Sequence, residues 1–237
     1  MSVLLQISDT HFGTEQPPVV DALVTFTVQQ RPDLVVLSGD ITQRARRAQF
    51  RAARVFVERL AAPVLAIPGN HDVPLFDVLA RVTRPYGLYR EAFGDDLEPV
   101  HASADLLVQC LNTTRWWRHT NGDISAEQIE RVAVRLGRAR PGQLCVIVVH
   151  QPVSVPQASD VHNLVRNHAA AVRRWADAGA DLVMGGHIHL PYVTPLPGLA
   201  RRLWSVQAGT AVSHRVRGGQ LNSVNLLRWG RDAPNGR

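Results

Sequence analysis

Lysine is absent from this chain of 237 residues: all 26 of its basic side chains are arginine. Total replacement of one basic residue by the other reads as a coding bias. The net charge of +6 and the pI near 10.5 therefore do not argue for a nucleic-acid polymer as partner, although the excess draws small anions. Cysteine is scarce as well. Cys110 and Cys145 stand alone inside apolar runs, which excludes a disulfide framework and points to buried free thiols in a reducing compartment. No apolar stretch approaches the roughly 18 residues that span a bilayer. The chain opens on a strand pattern at Val3, without the basic segment and apolar core of a leader, so a cytoplasmic location is expected. Internal repeats and low-complexity segments are also missing. The length fits one α/β domain over residues 1–230, with 231–237 expected to fray.

Five apolar runs are present, and each ends in polar residues able to donate to a metal. Val3 to Ile7 leads into Asp9 and His11, Leu34 to Leu37 into Gly39-Asp40, and Val64 to Ile67 into Pro68-Gly69-Asn70-His71-Asp72. Val146 to Val149 leads into His150, and Leu182 to Met184 into Gly185-Gly186-His187-Ile188-His189. Continuous Val/Ile/Leu runs are the pattern of strands buried on both faces. Ligands of open α/β sheets collect beyond the carboxyl ends of such strands. Seven donors of carboxylate, imidazole and amide type, with no sulfur, suit Mn, Fe, Zn or Co better than Ca or Mg. Seven are too many for one tetrahedral ion and suit two ions sharing a bridge.

In this order the blocks D-x-H, G-D, G-N-H-D, a lone His and G-H-x-H resemble the calcineurin-like metallophosphoesterase superfamily, over residues 9 to 189. The resemblance implies an α/β fold, a four-layer αββα sandwich of two mixed sheets flanked by helices. It implies Asp40 as the bridging carboxylate, with Asp9, His11 and His189 completing one metal site and Asn70, His150 and His187 the other. His187 and His189 serve different ions if the segment between them is extended. Two such ions clamp a phosphate and lower the pKa of a shared water. His71, outside the donor set, is the implied general acid for the leaving oxygen, with Asp72 orienting it. G-N-H-D with G-H-I-H looks like the bacterial cyclic-nucleotide phosphodiesterase branch. The expected substrate is accordingly a small phosphodiester such as a cyclic nucleotide. A UDP-diacylglucosamine-type pyrophosphatase, a nuclease and a non-catalytic metal- or phosphate-binding module are the alternatives. A homodimer is a further possible partnership.

The rest of the pattern supplies the frame. Helices are expected over 17–30, with Val20, Leu23, Val24 and Val28 inward, and over 42–60, with Arg44, Arg46, Arg47 and Arg51 on a solvated face. Ser125 and Gln128 read as a capping box for a helix ending near Leu136, and another helix is expected over 164–178 with Gly179 as its stop. Three candidates for substrate contact follow from position: Asn112 at a strand end, His119 in the loop with Trp116 and Trp117, and Arg215 in a basic turn.

Overall fold

The computed structural model describes residues 1–230, so the segment expected to fray, 231–237, lies outside the described residues. Strand periodicity generates the layers. Successive side chains on a strand point to opposite faces. Along β1 (Ser2–Ile7), Leu4 therefore parts from Leu5 and Ile7, and along β2 (Leu34–Ser38), Leu34 and Val36 part from Val35 and Leu37. With β3 (Val64–Ile67) these strands run parallel, joined by α1 (Pro17–Gln30) and α2 (Arg47–Glu58). Leu23, Phe50 and Phe56 of the two helices cover the Leu5, Val35 and Leu37 face. The last strand, β10 (Asn225–Trp229), pairs antiparallel with β1, giving the order β10-β1-β2-β3.

A second sheet follows two short helices, α3 (Val78–Thr83) and α4 (Gly87–Phe93). It contains β4 (Val100–Ala102), β5 (Leu106–Cys110), β6 (Leu144–Val148), β7 (Leu182–Gly185), β8 (Tyr192–Pro195) and β9 (Trp204–Gln207). Their order is β4-β5-β6-β7-β9-β8, parallel within and antiparallel at both edges. Helices α5 (Ala126–Leu136) and α6 (His168–Ala178) bury Ile129, Val132 and Trp175 against Ile147, Val149 and Val183. Between the sheets, Leu4, Val36 and Ile67 meet Val108, Val146, Val148 and Met184. Three apolar interfaces thus separate four layers, the αββα sandwich.

Several local readings change. Helix α2 starts at Arg47 rather than at Thr42, because the Asp72 carboxylate accepts the backbone N–H groups of Ile41 and Thr42 and holds that stretch out of helical geometry. Arg44 and Arg46 consequently lie on a loop, and only Arg47 and Arg51 of the four arginines ride on the helix. Helix α6 begins at His168, after Asn167 in a left-handed conformation, and a 3-10 turn occupies Ala158–Asn163. Val28 is exposed and Thr27 is buried in its place, its hydroxyl donating to the Leu23 carbonyl. The capping box at Ser125 and Gln128 and the stop at Gly179 form as the sequence implies. Cys110 and Cys145 are both free and buried.

The two sheets bring their carboxyl edges to one end of the sandwich. Buried Gln6 donates within its own sheet to Ser38 Oγ at 3.0 Å and across to the other sheet, to the Gly185 carbonyl, at 2.9 Å. These bonds tie β1 to β2 and β7 where the loops leave.

Candidate metal centre

Each of the seven donors sits within four residues of a strand's carboxyl end. The loops there are tight. Asp9, His11, Asp40, His187 and His189 all take positive φ, between 44° and 75°. Left-handed backbone at non-glycine residues is uncommon and clusters where function holds it. The glycines make room. A Cβ on Gly69 would lie 2.0 Å from the Asp40 nitrogen, and one on Gly186 2.4 Å from Asp9 Oδ2.

The donors fall into two groups that share a carboxylate. In one, the ligating atoms of Asp9, His11, Asp40 and His189 lie within 4.8 Å of one another; in the other, those of Asp40, His150 and His187 do. Asn70 joins the second group, with Oδ1 3.2 Å from His150 Nε2. His187 and His189, on either side of Ile188, are both left-handed rather than extended, and the structure places one in each group.

The surroundings fit a metal. His150 Nδ1 donates to the Ser38 carbonyl at 3.0 Å, and His189 Nδ1 to the Arg215 carbonyl at 2.6 Å. Both rings thereby turn Nε2 into the cluster, the arrangement by which an outer hydrogen bond orients a metal-binding imidazole. His187 Nδ1 is buried with no hydrogen-bond partner. The imidazoles of His11 and His189 bring their Nε2 atoms within 3.0 Å of each other. Burial holds the His11 ring down to about 3 and that of His187 down to about 4, which keeps both neutral and able to ligate. At His150 burial opposes the charge, but the Asp40 carboxylate 3.2 Å away lifts it to about 9. Burial likewise opposes the Asp40 charge, yet His150, His71 and His11 hold its carboxyl well below the usual range.

His71 stands beside this cluster. Its backbone N–H donates to Asp40 Oδ1 at 2.9 Å, and its ring Nδ1 donates to the Gln43 carbonyl at 2.9 Å. Nε2 then points inward, 4.0 Å from Asp40 Oδ2. The Gln43 carbonyl, not Asp72, orients the ring. Asp72 is instead a buried clasp that accepts from Ile41 N, Thr42 N, Thr42 Oγ1 and Gly69 N. Its position at the end of the 3-10 turn Asn70–Asp72 sends the carboxylate under the loop. Burial, with the Asp40 charge nearby, pushes it up to about 6.

The substrate-contact candidates divide. Arg215 reaches the cluster, its Nη1 lying 2.9 Å from Gln43 Oε1, 3.3 Å from His11 Nδ1 and 3.4 Å from His71 Nε2. Asn112 is engaged in a turn, its Oδ1 accepting from Thr114 N and Thr114 Oγ1. His119 is exposed, and after burial the charges of Arg81, His71 and Arg44 depress its pKa. Gln43 was not marked by any motif. It follows the G-D block by three residues, and only the folded loop reveals its two contacts with the site.

The model of the calcineurin-like phosphoesterase family matches residues 2–191. The chain belongs to that family. A probable cyclic nucleotide phosphodiesterase of Synechococcus is 29% identical over 161 residues, covering 64% of this chain and 59% of that protein. A cAMP/cGMP dual specificity phosphodiesterase of Mycobacterium tuberculosis is 28% identical over 202 residues, covering 79% and 61% respectively. The chain thus spans about three fifths of the length of these relatives. Among solved structures, a dimetal phosphatase from Danio rerio has the same fold, with a TM-score of 0.66 at 16% identity, over 88% of this chain and 87% of that one. In this calcineurin-like fold, no helix among the described residues is long and apolar enough to cross a membrane.

Proposed function

We propose that the protein is a two-metal phosphodiesterase acting on a small phosphodiester, a cyclic nucleotide first among the candidates. The observation that carries the reading is the single carboxylate, Asp40, common to two groups of buried donors. Asp9, His11, Asp40 and His189 would hold one ion, and Asp40, Asn70, His150 and His187 the other, with Mn, Fe or Zn suited to the donor set. When bound, a pair of ions of this kind supplies Lewis-acid stabilisation of phosphoryl oxygens and lowers the pKa of water.

The chain's own residues supply the remainder. His71, fixed through Nδ1 on the Gln43 carbonyl, holds a proton at Nε2 for the departing oxygen. Arg215, anchored by Gln43 Oε1 and flanking His71, offers guanidinium N–H groups to a phosphoryl oxygen. Asp72 keeps the loop that bears Asn70 and His71 at its distance from the loop after β2.

The names of the relatives favour a cyclic nucleotide over a UDP-linked lipid or a nucleic acid. A full donor set favours an enzyme over a binding module. The deciding experiment is a panel of cyclic nucleotides, glycerophosphodiesters, a UDP-linked diacylglucosamine, phosphomonoesters and single-stranded DNA, assayed with Mn²⁺-loaded protein. Highest kcat/KM on a cyclic nucleotide is the expected result. A preference for the UDP-linked lipid or for DNA overturns the substrate assignment, and no turnover of any diester overturns the enzyme.

A further inference from the structure

Helix α3 is unusual in this fold: none of its residues is buried. It presents Val78, Leu79 and Val82 to solvent, and Phe76 precedes it. Phe76 is 76% exposed and Leu79 75%. The neighbouring loop adds Trp116 and Trp117, packed edge to face on each other and both exposed. The two segments form one surface. Arg81 donates to the Pro74 carbonyl at 2.8 Å and to the Arg118 carbonyl at 3.0 Å, and the Tyr86 hydroxyl donates to the Thr114 carbonyl. Six large apolar side chains exposed on two linked segments exceed the scattered exposure normal for a monomer, the pattern of an interaction site.

A cavity opens at the foot of this ridge. Its volume is about 370 Å³, and Arg44, Arg46, Arg47 and Arg84 contribute to its wall together with Phe76. Arg47 is tied to Glu91, but Arg44, Arg46 and Arg84 form no ion pair among the described residues. The Arg44 guanidinium lies over the Phe76 ring, 5.7 Å from its centroid, so charge and apolar surface are continuous. Asp77, also in the wall, caps α3 through the Ala80 N–H.

We propose that this face docks on an anionic lipid bilayer, with lipid phosphate groups in the arginine-lined cavity and the Phe76, Leu79 and Trp117 side chains at the acyl boundary. Apolar anchorage and attraction to anionic headgroups are each weak alone, and together they hold a protein at a membrane surface without a spanning helix. Tryptophan is the residue that favours that boundary. Self-association fits the face less well. A two-fold interface repeats the same surface on both sides and would set one copy's unpaired guanidinium groups close to those of the other.

The test is co-sedimentation of the full chain with vesicles of phosphatidylcholine alone and of phosphatidylcholine with about 30% phosphatidylglycerol. Two variants accompany it, Phe76→Ser with Leu79→Ser, and Arg46→Glu with Arg84→Glu. All four positions are exposed and lie outside the metal cluster and its hydrogen bonds. The unaltered chain is expected to sediment with the anionic vesicles and not with the neutral ones. Each double variant is expected to lower the bound fraction about fivefold or more, and added salt to release the unaltered chain. Equal binding to both vesicles, no binding to either, or binding undiminished in both variants overturns the proposal. Sedimentation velocity on the same samples adds one more overturning result. A dimer that dissociates in the Phe76→Ser, Leu79→Ser variant assigns the face to a second copy of the chain. None of these outcomes bears on the phosphodiesterase reading, which rests on other residues.

Discussion

Asp9, His11, Asp40 and His189 reach the cluster within four residues of a strand end, whereas Arg215 and Gln43 reach it from loops with no shared motif. The first set is buried, His189 nearly so, and locked by backbone conformation; the second flanks the partly exposed ring of His71 and is held by side-chain hydrogen bonds. On the proposed reading, the contrast teaches that metal donation and substrate handling are built separately here. The candidate donors belong to the scaffold, and the residues proposed to meet the substrate belong to its rim.

Substitutions on the two sides should separate in size and in kind. Asp40→Ala removes the carboxylate common to both donor groups. Turnover should fall about 10³-fold or more, since the ions carry several kcal/mol of transition-state stabilisation. His71→Ala should leave metal content unchanged and lower the rate about 10²–10⁴-fold on an alkyl or ribose diester. On a p-nitrophenyl ester the loss should be much smaller, because that leaving group departs without a proton. Equal losses on the two esters would show that His71 positions substrate instead. Arg215→Ala should cost about 10–100-fold, the worth of a hydrogen bond from a charged donor. That loss should be the same on both esters if Arg215 addresses the phosphoryl oxygens, as proposed, and not the leaving group. A loss of metal in Arg215→Ala would move it from the rim to the scaffold.

The smallest kinetic effect belongs to Asp72→Asn, which keeps one acceptor oxygen for the N–H groups of Ile41, Thr42 and Gly69. Turnover should change little, while thermal unfolding should reveal a loss of about 1–3 kcal/mol from imperfectly paired buried donors. A rate loss as large as that of His71→Ala, with unchanged stability, would restore Asp72 to the chemistry.

How much of this was legible in the sequence follows the same division. The layers could be read, and so could the convergence of the seven candidate donors at one end of the sandwich, because strand periodicity is local and each of these residues stands next to the apolar run that places it. The role of Asp72 could not, since adjacency to His71 suggests contact while the 3-10 turn points its carboxylate elsewhere. The start of α2 was misread for the same reason: the competing partner of Ile41 and Thr42 is about thirty residues away. Asn112, at a strand end, and Arg215, in a basic turn, were both substrate-contact candidates by position, and only the tertiary neighbours, Thr114 for one and Gln43 for the other, distinguish them.

The central claim is that two ions share Asp40, and counting metal in the purified chain tests it most directly. After removal of metal and reloading with Mn²⁺, the unaltered chain should hold close to two ions, as the paired donor groups require. Asp40→Ala should retain neither. A single ion in the unaltered chain, both ions retained by Asp40→Ala, or full turnover in strong chelator by protein shown to be metal-free would contradict the account.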